Sequence, residues 1–326
     1  MAKSMKAVVV DHPGPPEVLT IRDRPVPVAE PGWVLIRVKA FGLNRAELFT
    51  RQGDSPSVTF PRVLGIEAVG LIAGAPGGEF TEGQTVATVM GGMGRAFDGG
   101  YAEYTCVPAA QVRAIETGLD WAAFGALPEM IQTAWGCLHT TLGVQAGDKL
   151  LVRGGTTSVG LAAIELANRH GLITLATTRR EERLAALRGA GADHVLIDDG
   201  ALASAIRALF PGGVDHVIEL VGAATLGDSL AATRAGGTVC MAGIMGGWEF
   251  DKFSPLDAMP NGVRLTVYGG KPADFMNTPL QAIVRDIEAG RLSFKTDRVF
   301  AMADIASAHR HMEANQAFGK VVVVTE

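Results

Sequence analysis

Residues 149–183 begin Lys149-Leu150-Leu151-Val152-Arg153-Gly154-Gly155-Thr156-Thr157-Ser158-Val159-Gly160. They continue through Leu161 to His170, then Leu172-Ile173-Thr174-Leu175-Ala176-Thr177, and close on Thr178-Arg179-Arg180-Glu181-Glu182-Arg183. The first four residues are an apolar, strand-like run. Arg153 to Gly160 has the composition of a turn. Leu161 to His170 sets Ala162, Ala163, Leu166 and Ala167 on one helical face, and a second strand-like run follows. Strand, glycine turn, helix and strand within about 30 residues is the order of a βαβ dinucleotide-binding unit. A glycine turn lets the backbone approach a pyrophosphate, and the helix behind it offers free N–H groups and the positive end of its dipole. On the pattern G-x-G-x-x-G the positions are Gly155, Thr157 and Gly160, and Gly160 allows the helix to pack tightly on the strand. Thr157 replaces the middle glycine. Its Cβ pushes a phosphate outward, and the hydroxyls of Thr156, Thr157 and Ser158 are the donors that compensate. An ordinary βα turn is the competing reading of this stretch alone.

The flanking sequence repeats the unit. Strands are expected at 149–152, 172–177, 194–197, 214–220, 237–242 and 263–268, with helices at 158–170, 180–189, 200–210 and 224–234. Six strands with interleaved helices predict a doubly wound parallel sheet. Upstream, the first ~120 residues carry short strand-like runs at 6–10, 33–40, 63–73 and 84–90, set between Pro- and Gly-rich turns, with little helix. Helices are expected from Trp121 to Leu127, from Glu129 to Leu142, at 279–290 and at 304–315. A last strand, Lys320 to Val324, is expected to return to the β region. This gives a mainly β domain over 1–122, a nucleotide-binding domain over 123–265, and a return over 266–326. The active site is expected in the cleft between domains.

Composition narrows the class. A chain of 326 residues exceeds one comfortable core. With 48% hydrophobic and 19% charged residues it reads as a globular enzyme. A net charge of −5 argues against nucleic acid as a partner. Cys106, Cys137 and Cys240 form no C-x-x-C pair and read as small core residues. No apolar run approaches the ~20 residues that span a bilayer. The apolar run after Lys6 is too short for a signal peptide, and Met5 reads as a possible native start. No membrane association and a cytoplasmic location are the expectation.

Several segments in order carry a family signature: Gly42-Leu43-Asn44-Arg45-Ala46-Glu47, Pro61 to Gly70, Phe97-Asp98-Gly99-Gly100-Tyr101-Ala102-Glu103-Tyr104, Thr133-Ala134-Trp135, the glycine turn, Gly191-Ala192-Asp193, and Gly319-Lys320-Val321-Val322. Over essentially its whole length the chain resembles the medium-chain dehydrogenase/reductase superfamily, in its zinc-independent quinone oxidoreductase branch (zeta-crystallin-like). The resemblance implies a GroES-like mainly-β catalytic domain, a Rossmann domain and a homodimer. Zinc-dependent relatives have a cysteine where Asn44 stands and a histidine where Ile66 stands. Catalytic zinc needs three Cys, His or carboxylate ligands, and Glu67 alone cannot hold it. His309 and His311, at i, i+2 on a helix, point to different faces.

Hydride transfer needs a nicotinamide held against an acceptor and a group that receives charge on the acceptor oxygen. Asn44 is the first candidate catalytic residue, through its amide, for the acceptor or for the nicotinamide ribose. The competing reading is a turn asparagine satisfying its own backbone. Thr133 is the second, set against a helix threonine bonding back to a carbonyl. Phe49 stands where many relatives carry a tyrosine, so the proton donor is unassigned and water is an equal candidate. Glu67 reads as a buried carboxylate paired with Arg45, Arg51 or Arg62.

Coenzyme choice is read at the end of the second Rossmann strand. NAD enzymes keep a carboxylate there for the ribose hydroxyls. Here the strand ends in Thr178, Arg179 and Arg180, and the two guanidiniums suit a 2′-phosphate, which predicts NADPH. Thr178-x-x-Glu181 has capping-box spacing, which accounts for Glu181. Further cofactor contacts are expected from Asn44 and Thr133, from the turn residues Gly155, Thr156, Thr157, Ser158, Val159 and Gly160, and from Val221, Ala242-Gly243-Ile244, Tyr268-Gly269-Gly270 and Gly319-Lys320. The expected function is zinc-free, NADPH-dependent reduction of a quinone or an enone. The alternatives are a 2-enoyl-thioester reductase and a nucleotide-binding structural or regulatory protein.

Overall fold

The computed structural model describes residues 3–250 and 252–325. Its contacts divide the chain into two compact units, one of them Thr133–Gly269 and the other running to Gln132 and resuming at Gly270. The segment 121–132 groups with the first unit because the helix Trp121–Gly125 packs on that unit's strands Trp33–Gly42 and Glu67–Gly74. Asp120 caps it, its carboxylate accepting the Ala123 N–H at 2.7 Å.

The Thr133–Gly269 unit holds β1 (Lys149–Arg153), β2 (Ile173–Thr178), β3 (His194–Ile197), β4 (Val214–Glu219), β5 (Thr233–Met241) and β6 (Arg264–Val267). They form one sheet in the order β3-β2-β1-β4-β5-β6, and every pair is parallel. This is the Rossmann order, which reverses at the β1/β4 boundary. Helices cover both faces of such a sheet, so its central strands read as continuous apolar runs. All six residues of β4 are buried. Leu151, Leu175, Val217 and Val239 of the sheet pack with Leu202, Ile206, Leu226 and Leu230 from the connecting helices. The helix α1 (Ser158–Arg169) lies close enough on β1 that a Cβ on Gly160 would stand 2.6 Å from the Gly154 carbonyl oxygen. That is the role expected of Gly160.

The other unit is the GroES-like one. A seven-stranded sheet runs Thr296–Ala301, Lys320–Val324, Trp33–Gly42, Glu67–Gly74, Thr85–Val89, Val112–Ala114, with Tyr104–Pro108 also on Trp33–Gly42. A three-stranded sheet pairs Ser4–Val10 with Thr20–Pro25 and Arg62–Val63. The final strand pairs antiparallel with Trp33–Gly42, Val322 opposite Gly42, which is the return expected from the sequence.

Four local expectations are corrected. The run 63–73 is two strands in different sheets, because Leu64 and Gly65 leave one ladder before Glu67 joins the other. Arg45–Gln52 is a helix inside the region read as nearly all β. The single helix 129–142 is an α-helix over Pro128–Trp135 that widens to a π-helix over Gly136–Leu142. The aromatic ring of Tyr268 lies on it where Gly136 has no side chain, and a Cβ there would stand 2.1 Å from Tyr268 Cζ. Arg153 ends β1 rather than opening the turn.

Among the described residues no helix is long and apolar enough to cross a membrane.

Candidate active site

The sequence points to two places, one in each unit. In the Rossmann unit the expected contacts gather at the C-terminal edge of the sheet. Gly154, with φ +87°, turns the chain out of β1. Its N–H donates to Thr177 Oγ1 at 3.0 Å and the Gly155 N–H to the Thr177 carbonyl at 3.1 Å, so the turn hangs on β2. Thr157 caps α1. Its hydroxyl accepts the Gly160 N–H at 3.0 Å and donates to the Gly154 carbonyl at 2.9 Å. This corrects one expectation, since the Thr157 hydroxyl already closes the turn on itself and is not a free phosphate donor. Among the described residues nothing accepts from the Ser158 or Val159 N–H, which are the groups a helix start leaves open. A 12-residue helix with two open N–H groups behind a glycine turn fits a dinucleotide pyrophosphate.

The loops after β4 and β5 are laced together. Glu219 accepts the Val221 and Gly222 N–H groups at 2.7 and 3.1 Å, and its carbonyl accepts those of Ala242 and Gly243. A Cβ on Gly243 would stand 1.9 Å from the Leu220 carbonyl oxygen, so these backbones meet only through glycine. Ile244 lies in the same loop, its carbonyl accepting the Gly247 N–H. Tyr268 and Gly269 follow β6, the Tyr268 N–H bonding the Met241 carbonyl. Thr133 is buried in the helix Pro128–Trp135. At the tip of β2, Arg179 and Arg180 are exposed. The capping box expected there does not form: Thr178 Oγ1 takes the nearer Arg180 N–H at 3.2 Å, and the N-cap position of the short 3₁₀ turn Glu181–Arg183 falls to Arg180, which makes no side-chain cap bond.

Beneath the turn lies a network that the sequence reading missed. The Arg153 side chain is fully buried and donates twice to Asp198, at 2.8 and 2.9 Å, once to Asp228 at 2.7 Å, and to Ser229 and the Thr225 carbonyl. Asp198 also accepts from Thr177 Oγ1 at 3.2 Å. The Gly154 anchor thus runs through Thr177 and Asp198 to Arg153. An arginine between an apolar strand and a glycine turn was the available signal.

The GroES-like unit holds a buried polar cluster around Asn44. Asn44 is the N-cap of Arg45–Gln52, and Glu47 reaches back to its N–H at 3.0 Å. The Asn44 amide nitrogen donates to Glu67 at 3.0 Å and Glu47 at 3.3 Å, and its oxygen accepts from Lys320 Nζ at 2.6 Å. Lys320 Nζ also pairs with Glu67 at 2.8 Å and Glu129 at 3.4 Å. Glu67 therefore pairs with Lys320, not with an arginine. Arg51 pairs with Glu313 and Arg62 with Asp98, and Arg45 donates to Asn315, because each of those guanidiniums leaves toward another element. Gly319, with φ +118°, turns the chain into the Lys320 strand, and Gly270 lies against Gln132. Sequence reasoning named Asn44, Glu67 and Lys320 but not Glu47 or Glu129, although Asn44-x-x-Glu47 has capping-box spacing.

Burial pushes the Glu47 carboxyl up to about 7 against the pull of the Ile66 N–H, and the Glu67 charge adds to the rise. Its folded pKa lies above its unfolded value, so folding favours the protonated form. That contribution to stability is complete below about pH 4.5 and is lost as pH rises through about 7. The expected result is a fall in unfolding free energy of roughly 1 kcal/mol between pH 6 and pH 8 from this group. Glu47→Gln should remove that slope in urea titrations at the two pH values; an equal slope in the variant would assign it elsewhere.

Tyr101 and His309 lie nearby, the phenol 3.2 Å from His309 Nε2, both fully buried. Burial pushes His309 down to about 3, so it is neutral. His311 faces away to Asp297, the opposite orientation expected from the sequence. Cys137 and Cys240 are buried and Cys106 half-buried, and none of the three is in a disulfide.

An alcohol dehydrogenase GroES-like domain model matches residues 30–117 and a zinc-binding dehydrogenase model residues 190–323. Mouse quinone oxidoreductase is 31% identical over 265 residues, 79% of this chain and 78% of the relative. The chain belongs to the medium-chain dehydrogenase/reductase superfamily, in its quinone oxidoreductase branch. The human quinone oxidoreductase is 28% identical over 329 residues, covering 99% of this chain and 98% of its own. A mycobacterial protein solved in complex with NADPH superposes with a TM-score of 0.88 at 26% identity, covering 98% and 99% of the two chains. This medium-chain enzyme is thus an oxidoreductase that takes a pyridine nucleotide and a small-molecule substrate. Zinc, which one family model's description implies, does not fit the residues present. Among the described residues no three His, Cys, Asp or Glu side chains are grouped as ligands, and in the Asn44 cluster Glu67 and Glu129 are held by an ammonium and Glu47 by N–H groups of Asn44 and Ile66.

Proposed function

We propose that this enzyme is a zinc-free, NADPH-dependent reductase that delivers hydride to a quinone or to the activated C=C of an enone. The observation that carries the coenzyme choice is the tip of β2, where two exposed arginines stand in the place of a ribose-binding carboxylate. The names of the mouse and human relatives support the quinone class. The open Ser158 and Val159 N–H groups would hold the pyrophosphate, and the arginines the 2′-phosphate. Thr133 is the proposed polar group of the reaction site, and Asn44, whose two amide N–H donors are already taken by Glu67 and Glu47, is proposed to act there through the buried cluster it orders rather than as a free donor to the acceptor. The bound coenzyme supplies the hydride; this chain's residues orient it and stabilise charge on the acceptor oxygen.

The test is steady-state NADPH oxidation with a panel of small quinones and enones, together with elemental analysis. Turnover with at least one acceptor, NADPH preferred over NADH and no stoichiometric zinc is expected. Turnover restricted to 2-enoyl thioesters, or tight binding of NADPH without turnover, would overturn it.

We also propose a cytoplasmic homodimer that pairs β6 with its twofold mate. β6 is an outer strand of the sheet, and Val267 on it is 71% exposed. An apolar sheet edge left bare invites such pairing. Light scattering is expected to give twice the 34.1 kDa chain mass, and a monomer at micromolar concentration would refute the pairing.

A further inference from the structure

The Asn44 cluster sets one ammonium among three carboxyls, all inside the GroES-like unit. Lys320 is 1% exposed, Glu47 1%, Glu67 0% and Glu129 9%. The backbone has been shaped around the ammonium. A Cβ on Gly42 would stand 2.2 Å from Lys320 Cε and 2.4 Å from Glu67 Oε1, so the ion pair occupies the space that a side chain on Gly42 would fill. Burial alone pulls a lysine toward the neutral amine. Here Glu67 and Glu129 more than offset burial, and Lys320 stays protonated above the ordinary lysine range. The contacts of Asn44 then have one consistent orientation, its oxygen to the ammonium and its nitrogen to Glu67 and Glu47. Swapping the two ends of the amide would set N–H against NH₃⁺ and oxygen against carboxylates.

We propose that Lys320 is the built-in cation of this site, a positioning residue that fixes the Asn44 amide and balances the buried charge of Glu67 and Glu129 where a metal ion would otherwise do so. This rests on the zinc-free reductase reading. It also gives Lys320 a part different from the nucleotide contact expected from the sequence. The charged and titratable groups around it are Glu67 on the strand Glu67–Gly74, Glu129 on the helix Pro128–Trp135, and Glu47 and Arg51 on Arg45–Gln52. Tyr101 and His309 lie behind them.

The test uses Lys320→Ala, which leaves a slot for a small alkylammonium ion, and Lys320→Met, which keeps the length without the charge. Both are expected to lower single-turnover hydride transfer to a small quinone at saturating NADPH at least tenfold, with the directly measured NADPH Kd within threefold of the parent. n-Propylammonium chloride should restore part of the rate in Lys320→Ala but not in Lys320→Met. A second readout needs no turnover. In Lys320→Ala the melting temperature should rise with added n-propylammonium, and should rise more on going from pH 8 to pH 6 than in the parent, because Glu67, which burial already pushes up, would lose the ammonium that pulls it down and so favour the protonated form. If the parent reduces no quinone or enone, the reductase reading fails while this melting behaviour still decides the role of Lys320.

A more than tenfold rise in NADPH Kd with an unchanged single-turnover rate would make Lys320 a nucleotide contact and overturn the proposal. So would an absence of any n-propylammonium effect on melting of the folded alanine variant. If neither variant folds, elemental analysis of the parent still tests it: one tightly bound zinc per chain refutes a built-in cation.

Discussion

Arg153→Leu is expected to cost the Rossmann unit on the order of 3–5 kcal/mol, the range for removing one partner of a buried ion pair. The guanidinium is fully buried and its partners Asp198 and Asp228 are only 7% and 18% exposed, so the carboxylates left behind have little water to turn to. Each keeps two other donors, Asp228 the Leu202 and Ala203 N–H groups at 2.8 and 3.0 Å, Asp198 the Gly200 N–H at 3.0 Å and the Thr177 hydroxyl at 3.2 Å. Asp198 is the more buried and loses two guanidinium contacts where Asp228 loses one. The loss should therefore fall mainly on Asp198. Asp198→Asn introduced into the leucine variant should recover part of the stability, a coupling that a double-mutant cycle in urea isolates. The nucleotide site should weaken as well, because Asp198 fixes Thr177 and Thr177 fixes Gly154. A loss below about 1 kcal/mol would mean that solvent reaches this cluster and screens it.

The contrast between Arg153 and Lys320 shows which parts of this fold are legible in the sequence. The parallel sheet was readable because its strands are continuous apolar runs separated by helix-period segments, and local pattern suffices for that. The role of Gly160 was readable because close packing of helix on strand allows no side chain there. The partners of buried charges were not readable. Lys320 and Glu67 are 253 positions apart by number and meet only because the last strand pairs with Trp33–Gly42. Three nearer arginines offered themselves as partners for Glu67, and sequence carries no register by which to reject them. The capping box at Thr178 failed for a more local reason. The hydroxyl found the Arg180 N–H two residues on before the helix began, a competition common for threonine at the end of a strand.

That failure bears on the coenzyme. With no capping box, the Glu181 carboxylate is not accounted for by the helix start, and a carboxylate near the tip of β2 is what a ribose diol would use. Replacing Arg179 and Arg180 together by alanine discriminates between the two. If the guanidiniums clamp a 2′-phosphate, KM for NADPH should rise roughly ten- to a hundred-fold, since charge-assisted bonds to a phosphate are worth ~1.5–3 kcal/mol. KM for NADH, which has no such phosphate, should change much less. Glu181→Gln should leave KM for NADPH within about threefold, or lower it slightly by removing a like charge near the phosphate. If Glu181 instead holds the ribose hydroxyls, the order inverts: the arginine pair affects both coenzymes equally and Glu181→Gln raises KM for NADH. Arg179 and Arg180 are both exposed, so the electrostatic part of the effect should shrink with added salt. NADPH preference should therefore be larger at 20 mM than at 300 mM ionic strength, two conditions chosen to lie on either side of a Debye length of about 10 Å. A preference for NADPH that is insensitive to both the double substitution and salt would remove the arginines from coenzyme recognition.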